Sequence, residues 1–204
     1  MTPKASLLRP PRRATLNRET KETRISCALN LDGKGKYHVS TGIKFLDHML
    51  ELFSKHSLID VDLKADGDID VDDHHTIEDI AIVIGKCVEK ALGDKAGINR
   101  YGTAYVPMDD SLARCVIDLS GRSYSVFNAE FSRAKINDLS AEMIEHFFKS
   151  VAENLKANVH IDLMYGRNNH HRAEAIFKSF ALALREATSH NPRIVGVQST
   201  KGEL

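Results

Sequence analysis

The 204-residue chain has no excess of charge of either sign, because 28 Lys and Arg balance 28 Asp and Glu. Without a cationic field there is little to hold a polyanion, so neither nucleic acid nor an anionic membrane surface is an expected partner. Long apolar runs are also missing, and none approaches the roughly 20 residues that a membrane-spanning helix needs. The basic N-terminal stretch KASLLRPPRRATLNR has no continuous apolar segment of the signal-peptide kind. Residues 1–17 therefore read as an arm, either flexible or used in a subunit contact. A short organellar presequence is the alternative, since no acid occurs before Glu19. Cysteine is scarce. Cys27, Cys87 and Cys115 are odd in number, far apart and set in apolar stretches, which argues against a disulfide framework and for buried, reduced thiols in the cytoplasm.

What is present is enough length for one sizeable core and a faint but ordered repeat. CALNLDG (Cys27 to Gly33) resembles CVIDLSG (Cys115 to Gly121), FLDHMLELFSKH resembles MIEHFFKSVAEN, and LIDVDLKADG resembles NVHIDLMYG. Each half reads strand, strand, helix, strand, helix, with room for another short strand before the last helix. Ile43, Leu46, Met49, Leu50 and Phe53 recur at helical spacing, and Ile59, Val61 and Leu63 alternate with Asp60, Asp62 and Lys64. Ile77, Ile80, Ala81, Ile84, Val88 and Leu92 mark an amphipathic helix that stops at Gly93. The expected fold is an α+β sandwich whose two related halves, 18–97 and 98–204, pack their helices between sheets as one unit. The joint lies near Gly93 to Gly102.

Each half also carries two adjacent histidines and a glutamate, as HHTIE (His74 to Glu78) and HHRAE (His170 to Glu174). Adjacent residues on a helix diverge by roughly 100°, whereas i+3 and i+4 residues return to one face. His74 and His75 therefore cannot easily share an ion, and Glu78 can face either of them. The geometry suits one helix serving two neighbouring ions while the second, with His170, His171 and Glu174, does the same from the other side. His48 and His146, on the preceding helix of each half, would complete the sets. Six imidazoles and two carboxylates without thiolate suit Mn, Fe, Co, Ni or Zn, and open octahedral positions lean toward Mn or Fe. One HHxxE alone is more often a surface pair; the doubled set with matched upstream histidines argues for metal. His56 either faces the same site or is a helix-end histidine. His38, His160 and His190 fall outside the pattern and are expected at the surface.

TGIKFLDHML, DDHHTIEDIAIVIG, GINRYG, DLSGRS, HFFKSVAENL, GRNNHHRAEAIFKSFALALREA and the terminal STKG together resemble imidazoleglycerol-phosphate dehydratase, the lyase of histidine biosynthesis. The resemblance runs in order from about Arg18 to Gly202. It implies two similar half-domains, each a four-stranded sheet with two helices, the helices sandwiched between the sheets. It also implies a dimanganese site, two Mn2+ per active site, built by His48, His74, His75, Glu78, His146, His170, His171 and Glu174. The site would be completed across subunits of an octahedral homo-oligomeric 24-mer. The implied reaction removes water from D-erythro-imidazoleglycerol phosphate through an imidazolate and diazafulvene-type intermediate, giving imidazoleacetol phosphate. His75, Glu78, His171 and Glu174 would take part, and Glu22 would anchor a hydroxyl or move a proton. Read without the resemblance, Glu22 is a solvated charge. His56 would join the substrate contacts, and Arg100, Arg122, Lys178 and, from the C-terminal tail, Ser199 and Lys201 would meet the phosphate, which suits guanidinium, ammonium and hydroxyl donors. MDDS, Ser123 in SGRS and the terminal GEL depart from the usual pattern without removing a ligand. No fused phosphatase domain is expected.

Two rivals stand against this reading. A di-iron carboxylate bundle would use Glu-x-x-His and more carboxylates, the reverse of the order here. A metal-stapled scaffold would leave the phosphate donors without a purpose.

Overall fold

A computed structural model describes residues 11–204. The chain begins with a hairpin, β1 (Arg13–Glu19) and β2 (Thr23–Asn30), followed by β3 (Tyr37–Ser40), α1 (Lys44–Ser57), β4 (Asp60–Gly67) and α2 (His74–Leu92). The sheet order is β1-β2-β4-β3. All pairs are antiparallel except β3 with β4, and those two parallel strands are joined by the α1 crossover that such a pairing requires. The second half repeats this plan with β5 (Tyr101–Met108), β6 (Ser111–Asp118), β7 (Tyr124–Asn128), α3 (Glu142–Leu155), β10 (Asn158–Tyr165) and α4 (Asn169–Thr188). Its sheet order is β5-β6-β10-β7. A two-stranded ribbon, β8 (Lys135–Ile136) with β9 (Leu139–Ser140), is inserted ahead of α3.

Alternation builds the sheets. Ile25, Cys27 and Leu29 of β2 and Val61, Leu63 and Ala65 of β4 face inward, while Arg24, Asp62, Lys64 and Asp66 face outward. α2 buries Ile77, Ile80, Ala81, Ile84 and Val88 and ends at Gly93, whose φ of 61° favours glycine. The helices lie between the sheets, with α1 packed on α4 and α2 on α3, so each helix pair takes one member from each half. A chain of rings from Phe53 through Phe180 and Phe148 to Phe177 and Phe147 knits the two halves into one core. Cys27, Cys87 and Cys115 are all buried and free. Among the described residues no helix is long and apolar enough to cross a membrane.

Two sequence expectations need correcting. Residues 13–17, read as part of a basic arm, belong to strand β1, because Ala14 is buried and Leu16 packs against the core while Arg13, Thr15 and Asn17 face out. Residues 1–10 of that arm lie outside the described residues. The extra strand of each half precedes the first helix, not the last. In the first half it is β3, an edge strand of four residues in which only Val39 packs on the core, too little burial to leave an alternating signature.

α2 and α3 cross closely at Gly85. A Cβ there would sit 2.8 Å from the Val151 carbonyl oxygen and 2.9 Å from Asn154 Cβ. Helix propensity favours Ala over Gly by about 1 kcal/mol, whereas overpacking a well-filled contact costs about 1–3 kcal/mol. Gly85→Ala is therefore expected to destabilise the protein by up to about 2 kcal/mol, seen as a lower denaturant midpoint. A raised midpoint would show that the crossing relaxes freely.

Candidate metal centre

Each HHxxE motif opens a helix. α4 is capped by Asn168, whose Oδ1 accepts from the backbone N–H of His170 at 2.9 Å. At the start of α2, Asp73 accepts from the Ser140 N–H at 2.6 Å and from its hydroxyl at 2.8 Å, which ties the β8–β9 ribbon to that helix end. Along each helix the i,i+4 pair meets: His74 Nε2 lies 3.5 Å from Glu78 Oε2, and His170 Nε2 lies 2.8 Å from Glu174 Oε1. This decides which histidine Glu78 faces.

The third member of each group comes from the opposite half. His146 on α3 places Nε2 3.4 Å from Glu78 Oε2, and its ring lies 4.6 Å from that of His74. His48 on α1 places Nε2 3.2 Å from Glu174 Oε1. The ligand atoms of His74, Glu78 and His146 all lie within 4.8 Å of one another, as do those of His48, His170 and Glu174. The crossing follows from the fold, since α1 rests on α4 and α2 on α3.

These triads suit a divalent ion. Each offers two imidazoles and a carboxylate, a donor set of borderline hardness. His146 Nε2 is buried and has no hydrogen-bond partner among the described residues, a cost that a ligand bond would remove. Burial would raise the Glu174 carboxyl, but hydrogen bonds from Lys178 Nζ at 2.5 Å, from His170 and from His48 outweigh it and hold the group down to about 2. It is therefore an anion at neutral pH.

His75 and His171, expected to share in the same sets, join neither triad within the subunit, because the turn of the helix aims them elsewhere. His75 Nδ1 lies 3.0 Å from Asp68 Oδ2 and 3.9 Å from Glu22 Oε2. The hydrogen bond to Asp68 raises its pKa. His171 Nδ1 lies 2.6 Å from Asp110 Oδ1. That bond, with backbone N–H groups of Arg167 and Asn168, holds the Asp110 carboxyl far below the usual carboxylate range. In the neutral ring, Nδ1–H donating to a carboxylate leaves the lone pair on Nε2, the arrangement typical of a metal-ligating histidine. Sequence reasoning missed Asp68, Asp110 and Asp109, whose Oδ2 lies 3.5 Å from His171 Nε2. The two at the β5–β6 turn were visible only as the departure in MDDS.

The expected phosphate donors divide. Arg100, Arg122, Ser199 and Lys201 line one cavity of about 530 Å³ with Ser120. Arg100 is held there by Asp118, at 2.7 Å and 3.1 Å, and by the Gln198 carbonyl at 2.8 Å. Lys178 does not line that cavity; it sits one turn beyond Glu174, also touching Met108 Sδ at 3.3 Å. His56, half-buried near the end of α1, is held below its ordinary pKa by burial and by the positive charges of Lys178 and Arg185. Glu22 occupies the β1–β2 turn, half exposed. His38 and His160 are exposed as expected, while His190 is partly buried and its Nδ1 lies 3.2 Å from the Gly97 carbonyl oxygen.

The cavity and the triads stand at opposite ends of the subunit. Asp110, beside His171, precedes β6, and Asp118, beside Arg100, ends it. The seven steps of β6 from Ser111 to Asp118, at about 3.4 Å each, separate the two by roughly 24 Å, more than one small molecule spans.

Comparison with known proteins gives one family. Residues 41–184 match the family model described as imidazoleglycerol-phosphate dehydratase. The chain is 60% identical to the imidazoleglycerol-phosphate dehydratase of Chloroherpeton thalassium over 195 residues, 96% of this chain and all of that one. It is 55% identical to that of Listeria monocytogenes over 193 residues, again covering 95% of this chain and all of the relative. Among solved structures, the dehydratase from Staphylococcus aureus superimposes with a TM-score of 0.80 at 41% identity, covering 88% of this chain and 99% of that one. The enzyme from Pyrococcus furiosus, solved with (S)-C348, gives 0.77 at 34% identity, covering 93% and 100%.

If each triad holds one ion, His146→Ala should remove about half of the divalent metal bound per subunit and leave the His48, His170 and Glu174 group loaded. Elemental analysis of gel-filtered protein checks this; unchanged metal content would exclude His146 as a ligand.

Proposed function

The chain belongs to the imidazoleglycerol-phosphate dehydratase family and is a hydro-lyase of histidine biosynthesis, and from that premise we propose how its residues divide the reaction. D-erythro-imidazoleglycerol phosphate is dehydrated to imidazoleacetol phosphate at a site holding two manganese ions, with Fe, Co, Ni or Zn as possible substitutes, and completed by neighbouring subunits. The observation that carries the shared site is the separation of roughly 24 Å between the cationic cavity and the histidine triads of one subunit. No single subunit can hold the phosphate in one and the imidazole at the other.

His48, His170 and Glu174 would hold one ion, and His74, Glu78 and His146 the other. His75 and His171, braced by Asp68 and Asp110, would offer Nε2 to the triads of neighbouring subunits. An octahedral 24-mer supplies those neighbours. Manganese placed there would supply positive charge beside the substrate's imidazole and favour its imidazolate form.

The C2 proton is not acidic by itself, so expulsion of the C3 hydroxyl by the ring comes first and leaves a diazafulvene-type intermediate. Loss of the C2 proton returns its electron pair to the ring as imidazolate and gives an enol, which tautomerises to the ketone. The expelled hydroxide leaves as water on taking up the proton that the ring gave up. Glu22 is suited to take that proton or to anchor a hydroxyl, because its carboxylate is half exposed and lies 3.9 Å from His75 Nδ1. Arg100, Arg122, Ser199 and Lys201 receive the phosphate. Lys178 and His56 meet the substrate from the triad side, where the low pKa of His56 presents a neutral imidazole. A metal-stapled scaffold would have no use for a cavity that gathers two arginines and a lysine. The cytoplasm suits three buried, unpaired cysteines.

Chelator-stripped protein is expected to be inactive, and added manganese to restore conversion of imidazoleglycerol phosphate to the ketone, followed by NMR. Assembled, metal-loaded protein that yields no product would overturn the reading. Glu22→Gln should lower kcat by about 10²–10⁴ with metal content unchanged, the range for loss of a general acid or base.

A further inference from the structure

We propose that Asp79 is a positioning residue that sets Glu22 in place, an inference that rests on the role of Glu22 given above. Asp79 lies one turn after His75 on α2, is 6% exposed and carries a carboxylate that the reaction scheme does not use. Its two oxygens are both engaged by the hairpin that bears Glu22. Oδ2 accepts from the Thr23 hydroxyl at 2.6 Å, and Oδ1 accepts from Arg18 Nε at 2.7 Å. Thr23 in turn closes the tip: Thr20 Oγ1 accepts from the Thr23 N–H at 2.9 Å and from the Glu22 N–H at 3.1 Å. The Glu22 carbonyl accepts from the Asp68 N–H at 3.1 Å, and Asp68 holds His75. The turn carrying Glu22 and the helix turn carrying His75 are thus fastened together from two sides.

In the other half of the chain the same hairpin forms without these side chains. Cys27 and Cys115 lie 88 positions apart in the repeat, and the HHxxE motifs lie 96 apart. By those offsets the counterparts of Arg18, Thr23 and Asp79 are Val106, Ser111 and Ala175. Val106 and Ala175 are buried apolar side chains. The Ser111 hydroxyl is buried with no hydrogen-bond partner among the described residues. The second hairpin is built on the same plan without an ion pair or a hydroxyl-to-carboxylate bond at these positions. Fastening through a buried carboxylate on the helix exists only where the turn carries Glu22; the second turn is joined to the start of α4 by its own Asp110, which accepts from the Arg167 and Asn168 N–H groups.

Asp79→Ala would also strip Arg18 of its counter-ion, so Thr23→Val is the decisive change: it keeps size and removes only the hydroxyl. In assembled, manganese-loaded enzyme, Thr23→Val is expected to lower kcat for imidazoleglycerol phosphate about tenfold or more, since small misplacements of a reacting group cost that much. Manganese content should stay unchanged, and Thr23→Ser should restore most of the rate. In a Glu22→Gln background Thr23→Val should then lower kcat less than about twofold, because groups acting as a unit are not additive. A slow Glu22→Gln together with a wild-type Thr23→Val would overturn this inference alone. So would a Thr23→Val loss equally large in both backgrounds, which would make the tether merely structural. A fully active Glu22→Gln would overturn the role of Glu22 and this inference with it.

Discussion

The divergence of about 100° between neighbouring residues on an α-helix governs the rest of this structure. It sends His74 toward Glu78 and His146, and His75 toward Asp68 and Glu22. The same divergence sends His170 toward Glu174 and His48, and His171 toward Asp110. A helix that opens with two histidines therefore has two faces of ligands, and a single chain can close only one of them around its own partners. The face that remains carries an imidazole already oriented by a carboxylate. Such a ring has most of its ordering cost met before a ligand arrives, which makes it suited to binding across an interface.

The helix pairing makes the closed face possible. Because α1 packs on α4 and α2 on α3, each triad draws on both halves, and neither half could form one alone. Packing supports the triads: the aromatic rings of Phe148, Phe177 and Phe180 lock the same helices whose ends present His146, His170 and Glu174. The sheets then set a distance. Strand length places the arginine cavity at the far end of the second sheet from the triads, so the fold that gathers the two triads also holds them apart from the arginines.

Much of this was legible in the sequence. The HHxxE motifs, the amphipathic helices and the alternating strands are local patterns, and the repeat of CALNLDG in CVIDLSG exposed the duplication. What was not legible depends on contacts between distant residues. The pairing of His48 with α4 instead of α2 is a matter of helix docking. β3 buries too little to alternate, and β1 was hidden because Arg12, Arg13 and Arg18 make the stretch read as part of a basic arm. Lys178 reads as one more phosphate donor until the fold places its ammonium on Glu174, and nothing near Asp68 or Asp110 in sequence signals the histidines they hold.

Duplication gives two equivalent sites at the level of the backbone, and substitutions on that frame have made them different. Glu174 is shielded and paired with Lys178, whose counterpart 96 positions earlier is Ile82; the side chain of Glu78 is 40% exposed. A buried carboxylate beside an ammonium stays ionised and fixed, whereas a half-exposed one is softer and freer to move. In the other direction, the first hairpin carries the Arg18, Asp79 and Thr23 tether where the second has apolar or unpartnered groups. The two ends of a pseudo-symmetric molecule thus differ in where charge is held still and where it is left accessible.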